Sequence, residues 1–405
     1  MKMKYCVILI LSLFIGCIEN TKPTNITLGY AKELAKKTLI IDGHIDLPYR
    51  LKEHYEDVSK KTINGHTDYP RLIEGGLDAP FMSIYIPASY KEKGGGKDLA
   101  DSLIDIVESL EYKWPKKYKI ARSVKDVITN FKTGIISLPM GMENGSGIDG
   151  NLKNLQHFYE RGIRYITLTH SKNNLIGGSS FDKKRSSDGL TDFGVDVVRE
   201  MNRLGIMVDI SHVSDSTFYD VLRVSKTPPI ASHSSCRHFI PGLERNMSDD
   251  MIKSLAEKGG IIMINFGSYF VNSKFQKLWD KADKIAKEND YNNEKRADIL
   301  KRMKNESNLE ISIDEVVEHI KHVVNLVGVD HVGFGSDFDG VINLPNGLTD
   351  VSMYPNLIYK LLKNGFTESD IEKICSGNII RVWKKVEGNS KQIKTRKFLP
   401  KGTKF

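Results

Sequence analysis

Short apolar runs recur along the chain, and between them lie stretches with apolar residues at helical spacing. The first run, Leu39-Ile40-Ile41, reads as a buried strand ending in Asp42-Gly43-His44-Ile45-Asp46-Leu47-Pro48. Further strands are expected at 81–86, 134–140, 164–169, 206–210, 229–232, 260–265 and 332–336. Helical spacing joins them, as in Leu99, Leu103, Ile106, Val107 and Leu110, or in Leu152, Leu155 and Phe158. Helices are also expected over 195–204, 214–224 and 248–257, with closing helices over 313–327, 355–363 and 368–383. Each crossover is long enough to make neighbouring strands parallel. Eight β/α units in one chain point to a closed (β/α)8, TIM-like barrel, an α/β fold; an open doubly wound sheet fits the same pattern. One connection is too long for a simple barrel. Residues 266–308 are polar, lysine-rich and helical, and read as an insertion, either a lid over the active face or a peripheral ornament.

The ends of the chain are different in kind. A short basic start, Met1-Lys2-Met3-Lys4, precedes an apolar run over 5–15 that is too short to span a membrane, and Gly16-Cys17 follows it. This resembles a bacterial lipoprotein signal over 1–16, with cleavage before Cys17 and lipid on its thiol. The protein would then be exported and held at the cell envelope, on the periplasmic or surface side. Residues 17–37 read as a polar tether and lead-in, 38–386 as the barrel, and 387–405 as a basic tail. With 405 residues, 40% of them hydrophobic and 27% charged, the chain has an ordinary globular composition. The net charge of +8 is scattered, apart from a cluster in the tail (Lys391, Lys394, Arg396, Lys397, Lys401, Lys404). No aromatic-interleaved basic motif marks a nucleic-acid reader. Of four cysteines, Cys6 leaves with the signal and Cys17 would carry lipid. Cys236 and Cys375 remain, with a spacing that does not show whether they pair, and the absence of C-x-x-C disfavours a thiolate zinc site.

Chemistry collects at the strand ends: His44 with Asp46, Glu143, His170, His212, His233 and Asp337. In a β/α barrel the carboxyl ends of the strands open on one face, so these residues converge although nearly three hundred residues separate the first from the last. His44 and Asp46, two apart on an extended segment, point to the same side. Nitrogen and oxygen donors without thiolates suit zinc or a similar ion. The number of donors makes a two-metal site natural, with a hydroxide between the ions and a polarised carbonyl. The G-x-G-x-x-G run at 145–150 is a decoy, because the strand after it ends in His170 where a dinucleotide site needs an acid.

These strand ends, read as motifs, resemble the membrane (renal) dipeptidase family of dinuclear zinc peptidases. The resemblance covers about residues 38–386. It rests on 42–48, Glu143, the run Tyr165 to Ser171, Asp209-Ile-Ser-His-Val213, Ser232-His-Ser-Ser235, Arg245-Asn246, Gly333-Phe-Gly-Ser-Asp-Phe-Asp-Gly340 and Asp350-Val-Ser-Met-Tyr-Pro355. It implies a zinc dipeptidase that cleaves dipeptides with a free carboxyl end. His44 and Asp46 would hold one zinc, His212 and His233 the other, and Glu143 would bridge them. His170 would contact substrate and stabilise the oxyanion, Arg245 would pair with the substrate carboxylate, and Asp337 would carry the proton. A homodimer is implied as well. Asn144 stands where the family has the first of two glycines, Ile45 stands where asparagine is common, and the span from His233 to Arg245 is a residue longer than in the animal members. Two other readings use the same residues: a barrel hydrolase of lactams, lactones or other rings, and a lipid-anchored peptide-binding protein without catalysis.

Overall fold

A computed structural model describes residues 25–182 and 189–398, with the side chains of 293 and 391–398 left aside. Cys17 and the expected signal lie outside the described residues.

Eight parallel strands close into a barrel in chain order: β1 (Ile41–Ile45), β2 (Ala79–Tyr85), β3 (Met140–Glu143), β4 (Ile163–Thr167), β5 (Met207–Asp209), β6 (Ile230–Ser234), β7 (Ile261–Ile264) and β8 (Val332–Phe334). β8 returns to pair with β1, Asp42 opposite Phe334. The strands are short and buried on both faces, as expected of a sheet with side chains inside and helices outside. The helices follow the apolar spacing closely: Gly96–Lys113, Lys153–Arg161, Asp192–Leu204, Asp215–Val224, Asp249–Glu257, Ile313–Val327 and Tyr354–Lys363. Several start at a capping hydroxyl. Ser214 accepts from Thr217 N–H, Ser248 from Met251 N–H, and Ser312 forms a reciprocal capping box with Glu315.

One strand assignment changes, and one strand is new. The expected strand over 134–140 is two elements. Ile136–Leu138 pairs with Tyr118–Ile120 in a separate two-stranded parallel sheet, while the barrel strand begins at Met140. Pro139 sits at the break. Lacking an N–H, it cannot continue a ladder, though its carbonyl accepts from Met82 N–H at 2.8 Å. The strand Tyr118–Ile120 has only three residues with a lysine in the middle, too short to leave a readable alternation.

The closed interior holds Ile41, Phe81, Tyr165, Met207, Ile261 and Met263, and the last helix, Asn378–Phe398, seals its floor with Val382, Trp383 and Val386. The rings of Trp383 and Phe81 lie 5.2 Å apart. That helix is separated from Glu368–Glu372 by a π-helical turn, Lys373–Gly377, where a single helix over 368–383 was expected. Its first half packs on the barrel and it continues to Phe398, into the span read as tail. With this floor closed, ligands reach the barrel from the opposite, carboxyl-end mouth.

The insertion forms helices Ser268–Val271, Ser273–Glu288 and Asn293–Glu306 around a small core of its own, Phe275, Ala282, Leu300 and Ile311. Cys236 and Cys375 are both buried free thiols. No helix among the described residues is long and apolar enough to cross a membrane.

Candidate metal centre

Glu143, the last residue of β3, is nearly fully buried at the centre of the mouth. One oxygen, Oε2, lies 3.4 Å from His44 Nε2. The other, Oε1, lies 3.1 Å from His212 Nε2, 3.4 Å from His233 Nε2 and 3.5 Å from His170 Nε2. Asp46, at the N-terminus of helix Leu47–Glu53, brings Oδ2 to 3.4 Å from His44 Nε2. Asp337, just beyond β8, joins His44 and Asp46, with donor atoms all within 4.8 Å of one another. The ends of β1, β4, β5 and β6 therefore meet at the carboxylate from β3, with Asp337 after β8 beside His44 and Asp46. His233 falls between the two sides: its ring is 3.8 Å from that of His44, and its Nε2 is 2.9 Å from His212 Nε2.

The backbone at the mouth is bent to aim these groups. His212, Asp337 and Asp339 have φ of 67°, 64° and 67°, a left-handed conformation that costs non-glycine residues energy and collects at functional sites. Asn144, beside the central glutamate, has φ of 81°. Gly340 is required for a different reason: a Cβ there would run into the carboxylates of Asp46 and Asp337.

Buried partners fix the imidazoles. Tyr165 donates its hydroxyl to Gly43 carbonyl at 3.0 Å, so at 2.9 Å it accepts from His44 Nδ1–H. Ser232 donates to Asp209 at 2.6 Å, so at 2.7 Å it accepts from His233 Nδ1–H. Both arrangements fix the ring by its Nδ1–H and aim Nε2 at Glu143, which is how a metal-binding histidine is oriented. Two fully buried acids hold the loops behind them. Asp42 accepts from His44 N–H at 2.8 Å, from Ser336 N–H and from the Tyr354 hydroxyl. Asp209 accepts from Ser211 N–H at 3.0 Å, Ser232 N–H at 2.9 Å and Thr167 hydroxyl at 2.5 Å. Each acid thus ties adjacent strand ends together. No role was expected for Asp42, Tyr165, Asp209 or Ser232 from sequence. The available signal was an acid inside an otherwise apolar strand, which buries a charge unless donors meet it.

Electrostatics at the centre favour cations. Burial works against the charge on His44, but Tyr165, Asp46 and Glu143 outweigh it and hold its pKa well above the usual value. Burial likewise opposes the charge on Glu143, yet the histidines around it keep its carboxyl well below the usual range. Burial, helped by the Arg245 cation, drives His212 well below the usual value, so it stays neutral and able to ligate. In His233 burial does the same, reinforced by His44. Asp337 is pushed up to about 8 by burial and by the neighbouring Asp46 and Glu143 carboxylates; cations among those acids would draw it back down. His44 Nε2 and Asp46 Oδ1 are buried with no hydrogen-bond partner. Buried polar atoms are otherwise nearly always satisfied, so these two fit ligation of an ion.

The cleft over the centre has a volume of about 470 Å³ and is lined by Asp46, Glu143, His170, His212 and Asp337, with Tyr85, Arg50 and Phe270 around them. His170 keeps a fifth of its side chain exposed, against Tyr85 at 4.9 Å. Asn265 donates to Asp337 Oδ2 at 2.8 Å. Arg245 is placed differently from the other expected site residues. It is buried behind the lining, donates to His233 carbonyl and Ser234 hydroxyl at 2.7 Å each, and lies 5.3 Å from the Phe270 ring. Its Nε has no partner, and burial lowers its pKa to about 10. The insertion borders this cleft: Phe181, Phe270, Gly340 and Val341 also line an adjoining cavity of about 440 Å³ that contains Trp279 and Tyr269.

A parallel eight-stranded barrel with imidazoles and carboxylates gathered around one glutamate at its mouth defines a metal-dependent hydrolase. The family model for membrane dipeptidase (peptidase family M19) matches residues 28–397. A dipeptidase of Schizosaccharomyces pombe, described as uncharacterized, is 34% identical over 364 residues, covering 86% of this chain and 81% of that one. Three solved structures are similar over nearly all of their length. The dipeptidase AC of family M19 has a TM-score of 0.72 and 27% identity, with 87% of this chain and 99% of that one covered. A metallopeptidase of Rhodobacter sphaeroides, liganded with a phosphinate mimic of the dipeptide L-Ala-D-Ala, has a TM-score of 0.71 and 26% identity, with 86% and 99% covered. The probable dipeptidase PvdM of Pseudomonas aeruginosa shares the fold, with a TM-score of 0.78 at 23% identity over 89% and 98% of the two chains. The chain belongs to the membrane dipeptidase family, peptidase family M19, and is a metallo-dipeptidase.

Proposed function

We propose that this enzyme uses two zinc ions, bridged by Glu143, to hydrolyse dipeptides with a free carboxyl end. The observation that carries the reading is the position of Glu143 between the histidines, with Oε2 toward His44, which Asp46 also approaches, Oε1 toward His212, and His233 within reach of both sides. Bound zinc would supply an activated water and a Lewis acid for the scissile carbonyl. The chain's own residues do the rest. Asp337 lines the cleft beside His44 and Asp46, placed to take a proton from the attacking water and give it to the leaving amine. His170 lines the same cleft and donates a hydrogen bond to the oxygen on which charge develops. Arg245, buried behind the lining near His170 and His212, places a positive charge there that attracts the substrate carboxylate. Tyr165, Ser232, Asp42 and Asp209 hold the ligands in register. The dipeptide mimic bound by the Rhodobacter sphaeroides relative supports the substrate class.

The test is complete metal removal by a chelator, followed by a dipeptide hydrolysis assay and re-addition of zinc. Loss and recovery of turnover is expected; undiminished turnover in the stripped protein would sink the proposal. The lipoprotein-like start supports export and anchoring through Cys17, and the family resemblance supports a dimer, which light scattering of the purified protein measures.

A further inference from the structure

Among the helices on the outer wall of the barrel, three donors from three separate elements converge. His238 lies in the 3₁₀ turn Arg237–Phe239, Asp249 opens helix Asp249–Glu257, and His322 lies in helix Ile313–Val327. One ligand atom from each falls within 4.8 Å of the other two. His322 Nε2 is 2.8 Å from Asp249 Oδ1, and the His238 ring stacks on the His322 ring at 4.3 Å. We infer that His238, Asp249 and His322 form a separate zinc site.

Two imidazoles and one carboxylate are a donor set that zinc takes, and solvent fills the fourth tetrahedral position on the exposed His238 side. The separations are in the range seen among the donors around Glu143, so small side-chain rotations suffice to ligate. On binding, the His322 proton moves through solvent from Nε2 to Nδ1, so the ring stays neutral and Nε2 gives its lone pair to the ion in place of the hydrogen bond to Asp249. His319, one turn earlier on the same helix, is excluded as a ligand. Its Nδ1 accepts from Cys236 N–H at 3.0 Å, and its Nε2 is 3.2 Å from Val271 carbonyl. Those bonds anchor the helix behind the site, and the Phe239 ring packs on both His319 and His322. Zinc here would tie the turn Arg237–Phe239 to the helices Asp249–Glu257 and Ile313–Val327. Its role is to hold that turn; it takes no part in the reaction.

The experiment is equilibrium dialysis of the full protein against micromolar zinc, with zinc per chain measured by mass spectrometry for wild type, His322→Gln and His238→Ala. None of the residues changed belongs to the catalytic centre, so dipeptide turnover and circular dichroism report that the fold is kept. Each variant is expected to hold one zinc fewer than wild type at unchanged turnover. Equal zinc content in wild type and variants overturns the site, as does a variant that also loses the zinc supporting turnover. If His322→Gln does not fold, His238→Ala decides, because its side chain is exposed. The difference in zinc count stands whatever the catalytic centre holds, so failure here and failure at Glu143 are separable.

Discussion

Replacing Asp337 with asparagine removes a proton carrier while leaving almost everything else in place. Asp337 sits at φ 64°, where most side chains are strained but Asp and Asn are tolerated best. Its Oδ2 accepts from Asn265 Nδ2 at 2.8 Å, and Asn265 is itself fixed because its Oδ1 accepts from Gly267 N–H at 2.7 Å. An asparagine Oδ1 can take over that acceptor role with the same shape. None of the closest Glu143 contacts involves residue 337, so the ligands around the central glutamate keep their positions. What disappears is a group that can accept a proton and pass it on. General acid–base catalysis is worth about 10²–10⁴-fold, or roughly 3–5 kcal/mol of barrier. Asp337→Asn is therefore expected to lower kcat by about that factor with KM little changed and zinc per chain unaltered. Steady-state dipeptide hydrolysis and metal analysis on the same preparation measure both. Turnover within tenfold of wild type would refute the proton role, and loss of zinc would show that Asp337 is a ligand instead.

Tyr165→Phe leaves His44 Nδ1–H without its acceptor at 2.9 Å, and should weaken zinc binding by about 10–100-fold without unfolding the barrel. Competition with a chromogenic chelator measures this, and unchanged affinity would deny Tyr165 its positioning role. Asp78 is pushed up to about 7 by burial, from 3.8, while its Oδ2 accepts from Ile40 N–H at 2.9 Å. Since the folded value is the higher one, ionising Asp78 costs stability that grows as pH rises from about 4 to 7 and is full above that. The two values set an upper limit of roughly 4 kcal/mol, so Asp78→Asn should raise Tm at pH 8 and give little or no gain at pH 4. An equal change at both pH values would contradict it. Cys17→Ala is expected to move the protein from the membrane fraction to the soluble one, and unchanged membrane association would count against lipidation.

The barrel was legible because its period is simple: apolar runs that end in polar residues, with helical spacing between them. The candidate site was legible for the same reason, since His44, Glu143, His170, His212, His233 and Asp337 all stand where an apolar strand stops. Less legible was whatever depends on contacts between distant segments. The pairing of Ile136–Leu138 with Tyr118–Ile120 needs Pro139 to break a run that looks continuous. The supports at Asp42, Tyr165 and Asp209 lie inside strands, where the pattern shows only that an odd residue is present. Arg245 was placed near the site by motif, but its burial behind His233 and Ser234 depends on a loop conformation that spacing does not encode. Residues 266–308 were read as an insertion; that Phe270 and Trp279 border cavities at the mouth follows only from the packing of its helices.

The most direct test of the central claim is anomalous diffraction at the zinc edge from crystals of the zinc-loaded enzyme. Two peaks are predicted at the mouth, one within ligand distance of each Glu143 oxygen, with His44 and Asp46 on one side and His212 on the other. No peak at the mouth, or one that Glu143 does not ligate, would contradict it.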